Sequence, residues 1–231
     1  MFDALFTTTT EYKKLSHALS GKGACALFGL PASGRAQVYA ALCRQLDKPL
    51  CIVTPGEAEA THFADDLKAL GLTAAVFPPR DFMLRPVEGA GREYEYRRLA
   101  VLGELVGGRL RAVAVPAEAL TQFTTPKEDF CANTRTLHAG DTLLRDDLLA
   151  ALFGAGYTRR AQVDGPGQFS VRGDIVDIFA PDQKMPVRME FWGDEIDTLH
   201  TFDLTTQRRE DAIDKFYLSP AREVLFGKPA D

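Results

Sequence analysis

The chain has 231 residues, 45% of them hydrophobic, enough to bury a real core in one large or two small domains. Its 27 Lys and Arg against 32 Asp and Glu leave a formal net charge of -5. This argues against tight non-specific binding of nucleic acid across the whole surface, which needs many unopposed cations, but leaves room for a local basic patch. No apolar run approaches the roughly 18 residues of a membrane span. The N-terminus, with Asp3 and Glu11, lacks the basic and apolar regions of a signal peptide. The expected compartment is the cytoplasm, with reduced thiols and no membrane partner. The four cysteines (Cys25, Cys43, Cys51, Cys131) form no CxxC pair and have no neighbouring histidine, so no metal site is expected; three lie in apolar stretches and read as core. His17, His62, His138 and His200 are scattered, and no catalytic cluster is visible.

In chain order, residues 24–28 read as a buried strand, followed by a Gly/Pro loop and a helix over about 36–45. A second buried strand at 50–53 ends at Thr54-Pro55-Gly56. The helix that follows, 57–70, has acidic residues in its first turn and is stopped by Gly71. A strand at 74–77, a helix at about 93–106 and a strand at 111–115 complete a series of βαβ units, which implies a parallel sheet. After Pro126 the pattern changes. A strand at 136–138 and a helix at 145–153, closed by Gly154 and Gly156, precede three strands without intervening helices: 168–179, 187–192 and 195–202. The last two flank Gly193-Asp194, a hairpin signal. The fold class expected is α/β, a P-loop-like parallel-sheet domain (1–126) carrying an inserted, smaller antiparallel α+β domain (127–207). A last strand at 213–218, within 208–231, is expected to return to the first domain, with linkers near 124–129 and 205–211. A sheet left at Gly227-Lys228-Pro229 suggests a piece of a longer protein.

The loop between the first strand and first helix is Gly29-Leu30-Pro31-Ala32-Ser33-Gly34-Arg35-Ala36. Its two glycines have the spacing of the phosphate-binding pattern GxxxxGK[ST], but Arg35 replaces the lysine and Ala36 the magnesium-binding hydroxyl. Backbone N–H groups at a helix start still attract anions. The metal that bridges the β- and γ-phosphates has nevertheless lost its anchor, and a planar guanidinium does not substitute for a compact ammonium. No acidic pair ends a following strand, since Val115 leads into Pro116-Ala117-Glu118. Gly29, Ser33, Gly34, Arg35 and Ala36 therefore read as a degenerate nucleotide loop, with no cofactor and no catalytic residue expected.

Three segments carry a family likeness over about residues 10–226. The first is this loop. The second is Pro79-Arg80-Asp81, with Arg97-Arg98-Leu99 and Ala112-Val113-Ala114-Val115-Pro116. The third and most specific begins with Gly156-Tyr157 and runs from Gly167-Gln168-Phe169-Ser170-Val171-Arg172-Gly173-Asp174-Ile175-Val176-Asp177-Ile178-Phe179 into Arg188-Met189-Glu190-Phe191-Trp192-Gly193-Asp194-Glu195-Ile196-Asp197 and Phe202-Asp203. Together they resemble the amino-terminal, UvrB-like module of bacterial transcription-repair coupling factors. UvrB itself has an intact phosphate loop and a long aromatic hairpin, and this chain has neither. The resemblance implies a non-catalytic module that docks UvrA and recruits excision repair to stalled RNA polymerase. Contacts to RNA polymerase and DNA, and the ATP-driven motor, would belong to parts of such a protein outside this chain. The alternative is a nucleotide-using helicase or damage-recognition enzyme of the UvrB type.

The resemblance places UvrA contacts at Arg159, Arg172, Glu190 and Phe191. For Arg172 a structural reading stands beside it, a solvated polar strand face with the arginine paired to Asp174, Glu190 or Asp197. By alternation along 168–179, Phe169, Val171 and Ile175 share one face and Ser170, Arg172 and Asp174 the other. Phe191 reads equally as core. Trp192 reads as packing at the hairpin end, and Arg92, Arg97 and Arg98 among Glu93 and Glu95 as a salt-bridged helix face.

Overall fold

A computed structural model describes residues 6–21, 24–80 and 92–223. Asp3, Asp81 and Gly227-Lys228-Pro229 lie outside the described residues. The protein is mixed α/β, with parallel and antiparallel sheets. The first elements are α1 (Thr10–Ser20), α2 (Ala32–Leu46), β1 (Leu50–Thr54), α3 (Glu57–Ala69), β2 (Ala74–Val76), α4 (Glu93–Val106), β3 (Ala112–Pro116) and α5 (Ala117–Leu120). There follow α6 (Lys127–Ala132), β4 (Arg135–His138), α7 (Arg145–Gly154), β5 (Thr158–Arg159), β6 (Gln168–Arg172) and β7 (Ile175–Phe179). The last are β8 (Val187–Trp192), β9 (Glu195–Phe202), β10 (Arg209–Ala212) and β11 (Lys215–Leu218). No helix among the described residues is long and apolar enough to cross a membrane.

The chain divides into two compact units, Met1–Pro79 with Gly107–Gln122, and Arg80–Val106 with Phe123–Asp231. In the first, a parallel sheet runs in the order β1-β3-β2. The central strand β3 is buried along its whole length, as a parallel strand covered on both faces must be. Helix α3 turns Ala60, Phe63, Ala64 and Leu67 inward at helical spacing against Ile52, Ala112 and Ala114. The many alanines let helix and sheet approach closely. Gly71, at φ 81, ends this helix, its N–H donating to the Lys68 carbonyl (2.9 Å).

Residues 24–28 do not form the expected strand. They lie outside any strand, with Leu27 and Phe28 44% and 87% exposed. A short apolar run satisfies the strand pattern, but pattern alone cannot supply the neighbouring edge that a strand must pair with. Of the cysteines only Cys43 is buried; Cys25, Cys51 and Cys131 are exposed, against the expectation of core thiols in the apolar stretches.

In the second unit, six strands run in the order β10-β9-β8-β7-β6-β5, and β11 pairs with β4 in a separate two-stranded sheet. Two expectations are corrected here. The strand predicted at 168–179 is two strands joined at Gly173-Asp174, because Gly173 takes φ 59 and closes a hairpin. The alternation restarts after the turn, so Ile175 stands opposite Arg172 and shares its face, while Val176 pairs with Val171 on the other. The last strand forms over Lys215–Leu218, but it lies antiparallel to β4, and Phe216 and Leu218 enter the core of this same unit. That core holds Leu148 and Leu152 of α7 against Phe169, Val176, Ile178, Met189, Phe191 and Ile196 of the sheet. A smaller cluster, Val163, Phe179 and Phe202, covers part of the opposite face.

Candidate functional site

The loop expected to be a degenerate phosphate site is largely taken into helix α2. Helix α2 already starts at Ala32, with Pro31 as its N-cap, so Ser33, Gly34 and Arg35 are wound into its first turn. The Arg35 N–H is spent inside the helix, donating to the Pro31 carbonyl (3.1 Å). Its guanidinium turns aside to Glu59 on α3 (3.8 Å), and Ala36 is packed into the core at 1% exposure. Only Gly29 keeps the left-handed conformation of a loop glycine, at φ 84. Arg35 is thus engaged with α3 and Ala36 with the core. Among the described residues no group of three or more His, Cys, Asp or Glu could hold a metal ion.

The antiparallel sheet carries a different constellation. Strand alternation turns Val187, Met189 and Phe191 of β8 to the core and Arg188, Glu190 and Trp192 to the other face. Asp177 of β7 is in register with Arg188 and with Ser170, and it is 1% exposed. Arg188 grips it through both oxygens, Nε to Oδ1 at 2.7 Å and Nη2 to Oδ2 at 3.0 Å. The same guanidinium donates to the Gln207 carbonyl (3.2 Å) and lies 4.7 Å from the centre of the Phe202 ring. A buried charge persists only when so compensated. Arg172 Nη2 adds a third hydrogen bond to Asp177 Oδ2 (2.6 Å), yet its side chain remains 46% exposed. A buried Arg–Asp pair thus holds the outer arginine at the open half of the face.

Beside Arg172 on this open half lie Ile175 and, in the next strand, Glu190, which pairs with Arg209 and accepts from the Thr198 hydroxyl (3.5 Å). Trp192 follows at the end of β8 and is 82% exposed. The reading of Trp192 as a packing residue is therefore corrected: the β8–β9 turn at Gly193, φ 62, leaves the indole outside the sheet. Arg172 pairs with none of the three carboxylates expected in the structural reading; its partner is Asp177.

The four expected contact residues do not come together. Arg172 and Glu190 share the open face. Arg159 is exposed on the two-residue strand β5, but its register with Phe169 directs it to the other side of the sheet. Phe191 is 5% exposed and belongs to the core beneath. The face instead gains Asp177 and Arg188, which hold it, and Trp192, which extends it. The signal for the first two was present: two opposite charges, each interrupting an apolar strand, between Val176 and Ile178 and between Val187 and Met189.

Residues 136–224 match the UvrB interaction domain, the region that contains this face. The chain is also similar to the transcription-repair-coupling factor of Bacillus subtilis, 28% identical over 201 residues, or 86% of this chain and 17% of that protein. The factor of Myxococcus xanthus is 34% identical over 85% of this chain and 17% of its own length, and that of Mycobacterium bovis 38% over 80% and 15%. The chain therefore spans about a sixth of the length of these curated relatives. Residues 136–224 thus match the UvrB interaction domain, and most of the chain is similar to part of the transcription-repair-coupling factors.

Proposed function

We propose that this chain is a non-catalytic docking module of transcription-repair coupling, which binds UvrA through the open half of the antiparallel sheet and so draws excision repair to a stalled RNA polymerase. The observation that carries the reading is the face itself. Arg172 is held outward by a buried Asp177–Arg188 pair, beside Glu190 and an exposed Trp192, within the segment matching the UvrB interaction domain. Arg and Trp are the side chains most enriched among interface anchors. An arginine already oriented by its neighbour loses less freedom on binding.

The parallel-sheet unit fits a degenerate relative of P-loop domains, in which Arg35 and Ala36 have abandoned phosphate and metal. Contacts with RNA polymerase and DNA, and any motor, belong in this reading to other parts of a longer protein. The test is a titration of the 231-residue chain with purified UvrA. The parent should bind, and Trp192→Ala should weaken binding by about 2 kcal/mol, near thirtyfold, with unchanged folding. Absence of binding by the parent chain overturns the docking role, and a folded Trp192→Ala variant with parental affinity moves the surface elsewhere.

A further inference from the structure

The most deeply buried charge in the second unit lies away from the docking face. Arg98 of α4 is 0% exposed and Glu223 is 1% exposed. The guanidinium donates from Nε to Glu223 Oε2 and from Nη2 to Oε1, each at 2.8 Å, a bidentate fork. Arg80 Nε donates to Oε2 (3.1 Å). The Thr124 hydroxyl donates to Oε1 (2.5 Å) and accepts from Arg98 Nη2 (2.9 Å). The backbone of Glu223 is held as well: its N–H donates to Glu95 Oε1 (3.0 Å), and its carbonyl accepts from the Thr125 hydroxyl.

Glu223 is the end of a short segment leaving β11, and that segment is fastened at each step. The Ser219 carbonyl accepts from the buried Tyr157 hydroxyl (2.7 Å), and the Ser219 hydroxyl donates to Asp182 (2.6 Å). Ala221 N–H donates to the Ala155 carbonyl (2.8 Å). Arg222 lies over Gly156, where an added Cβ would come within 2.2 Å of its side chain. One end of the segment is thus rooted in the sheet's core through Leu218 and Ala221, and the other grips α4 through Glu223. Among the described residues, the cluster under the sheet includes none of α4, whose Leu99 and Val101 are buried elsewhere. The tie between the strap and α4 is polar, and elements outside the main apolar cluster open at lower free energy than the cluster itself.

We infer that residues 219–223 are a strap, and that α4 detaches locally from the second unit when the Glu223–Arg98 lock opens, while the six-stranded sheet stays intact. The strap makes the position of α4 conditional on one carboxylate, a two-state element built into the fold.

Amide hydrogen exchange of the whole chain at neutral pH tests this, comparing the parent with Glu223→Gln. Gln keeps the size but presents an N–H donor to guanidinium donors. Exchange over 93–106 and 219–223 should accelerate about tenfold, with β6 to β9 exchanging as in the parent. Thr124→Val is the milder variant: it removes two hydrogen bonds and leaves the Arg98–Glu223 fork, and it should give the same local pattern at about threefold. If Glu223→Gln does not fold, Thr124→Val carries the test. Acceleration spread equally over β6 to β9, or none over 93–106, overturns the inference.

Discussion

Replacing Arg172 with alanine removes the outer of the two arginines that share Asp177. With its side chain 46% exposed, that pair belongs to the class worth about 0–1 kcal/mol of stability. Asp177 keeps both hydrogen bonds from Arg188, so no charge is left stranded. Replacing Arg188 instead leaves a carboxylate that is 1% exposed with only the half-exposed Arg172 on Oδ2 and no partner from Arg188 on Oδ1, at a cost approaching about 3–5 kcal/mol. It also removes the guanidinium from the Phe202 ring, worth roughly 0.5–2 kcal/mol. Against a typical total of about 5–15 kcal/mol, Arg188→Ala approaches unfolding and Arg172→Ala does not. Affinity for UvrA should reverse the emphasis: Arg172→Ala should lose about 2 kcal/mol, near thirtyfold, from a fully folded protein. Urea denaturation and UvrA titration on the same preparations separate the effects. If Arg172→Ala lost more than about 1.5 kcal/mol of stability, and affinity only in proportion to unfolding, the arginine would be structural. A stable Arg188→Ala would show that the buried pair does not support the face.

Magnesium-ATP should bind more weakly than about 1 mM, read by calorimetry, because Arg35 and Ala36 offer neither phosphate nor metal ligand; micromolar affinity or hydrolysis would restore the nucleotide-using alternative. Burial raises the pKa of Glu223, but hydrogen bonds from Arg98, Thr124 and Arg80 outweigh it and hold the carboxyl below its ordinary 4.5. A depressed carboxyl stabilises the fold above its unfolded value and loses that contribution as pH falls through the folded one. The parent's advantage over Glu223→Gln in urea should therefore be full above pH 4.5 and shrink below it; a gap independent of pH would contradict the assignment. Gly173→Ala should cost about 1–2 kcal/mol through its positive φ alone, since a Cβ there meets open space. Gly167→Ala, at φ 72, also drives a methyl to 2.6 Å from the Tyr96 hydroxyl and should cost more, as thermal melts would show.

The longer helices α2, α3, α4 and α7 and most apolar strands were legible because each depends on local periodicity, whereas α1, α5 and α6 were not read. The helix read at 93–106 and the strand read at 187–192 form over those very residues, and Gly71 stops α3 as its position suggested. Features that depend on distant partners were not legible. Residues 24–28 have strand composition but pair with no strand, and the last strand joins a different sheet from the one expected because sequence does not name its partner, β4. The short edge strands β5 and β10 were missed, since two to four polar residues carry no period. The expected linker at 124–129 is likewise part of the fold, for Thr124 and Thr125 both hold Glu223 and α6 begins at Lys127. On the proposed face, Arg172 and Glu190 come from the resemblance, whereas the exposure of Trp192 and the Asp177–Arg188 pair come from the structure alone.

The two buried charge clusters were missed for one physical reason. Glu93 and Glu95 make Arg98 read as part of a solvated helix face, yet its carboxylate lies 125 residues on in the sequence. Asp177 interrupts an apolar strand, and its partner Arg188 comes from the next strand over. In each case the structure buries the charge to 1% exposure or less, and an unpaired charge there would be prohibitive. Such a position is therefore evidence of an unseen partner, not of an error in the pattern. Both partners proved to be of opposite sign and bidentate, the geometry that best offsets desolvation. One pair fixes an outward arginine on the sheet, and the other fixes a helix through a strap. Charge at apolar positions marks both the element that presents the proposed docking face and the element free to move without disturbing it.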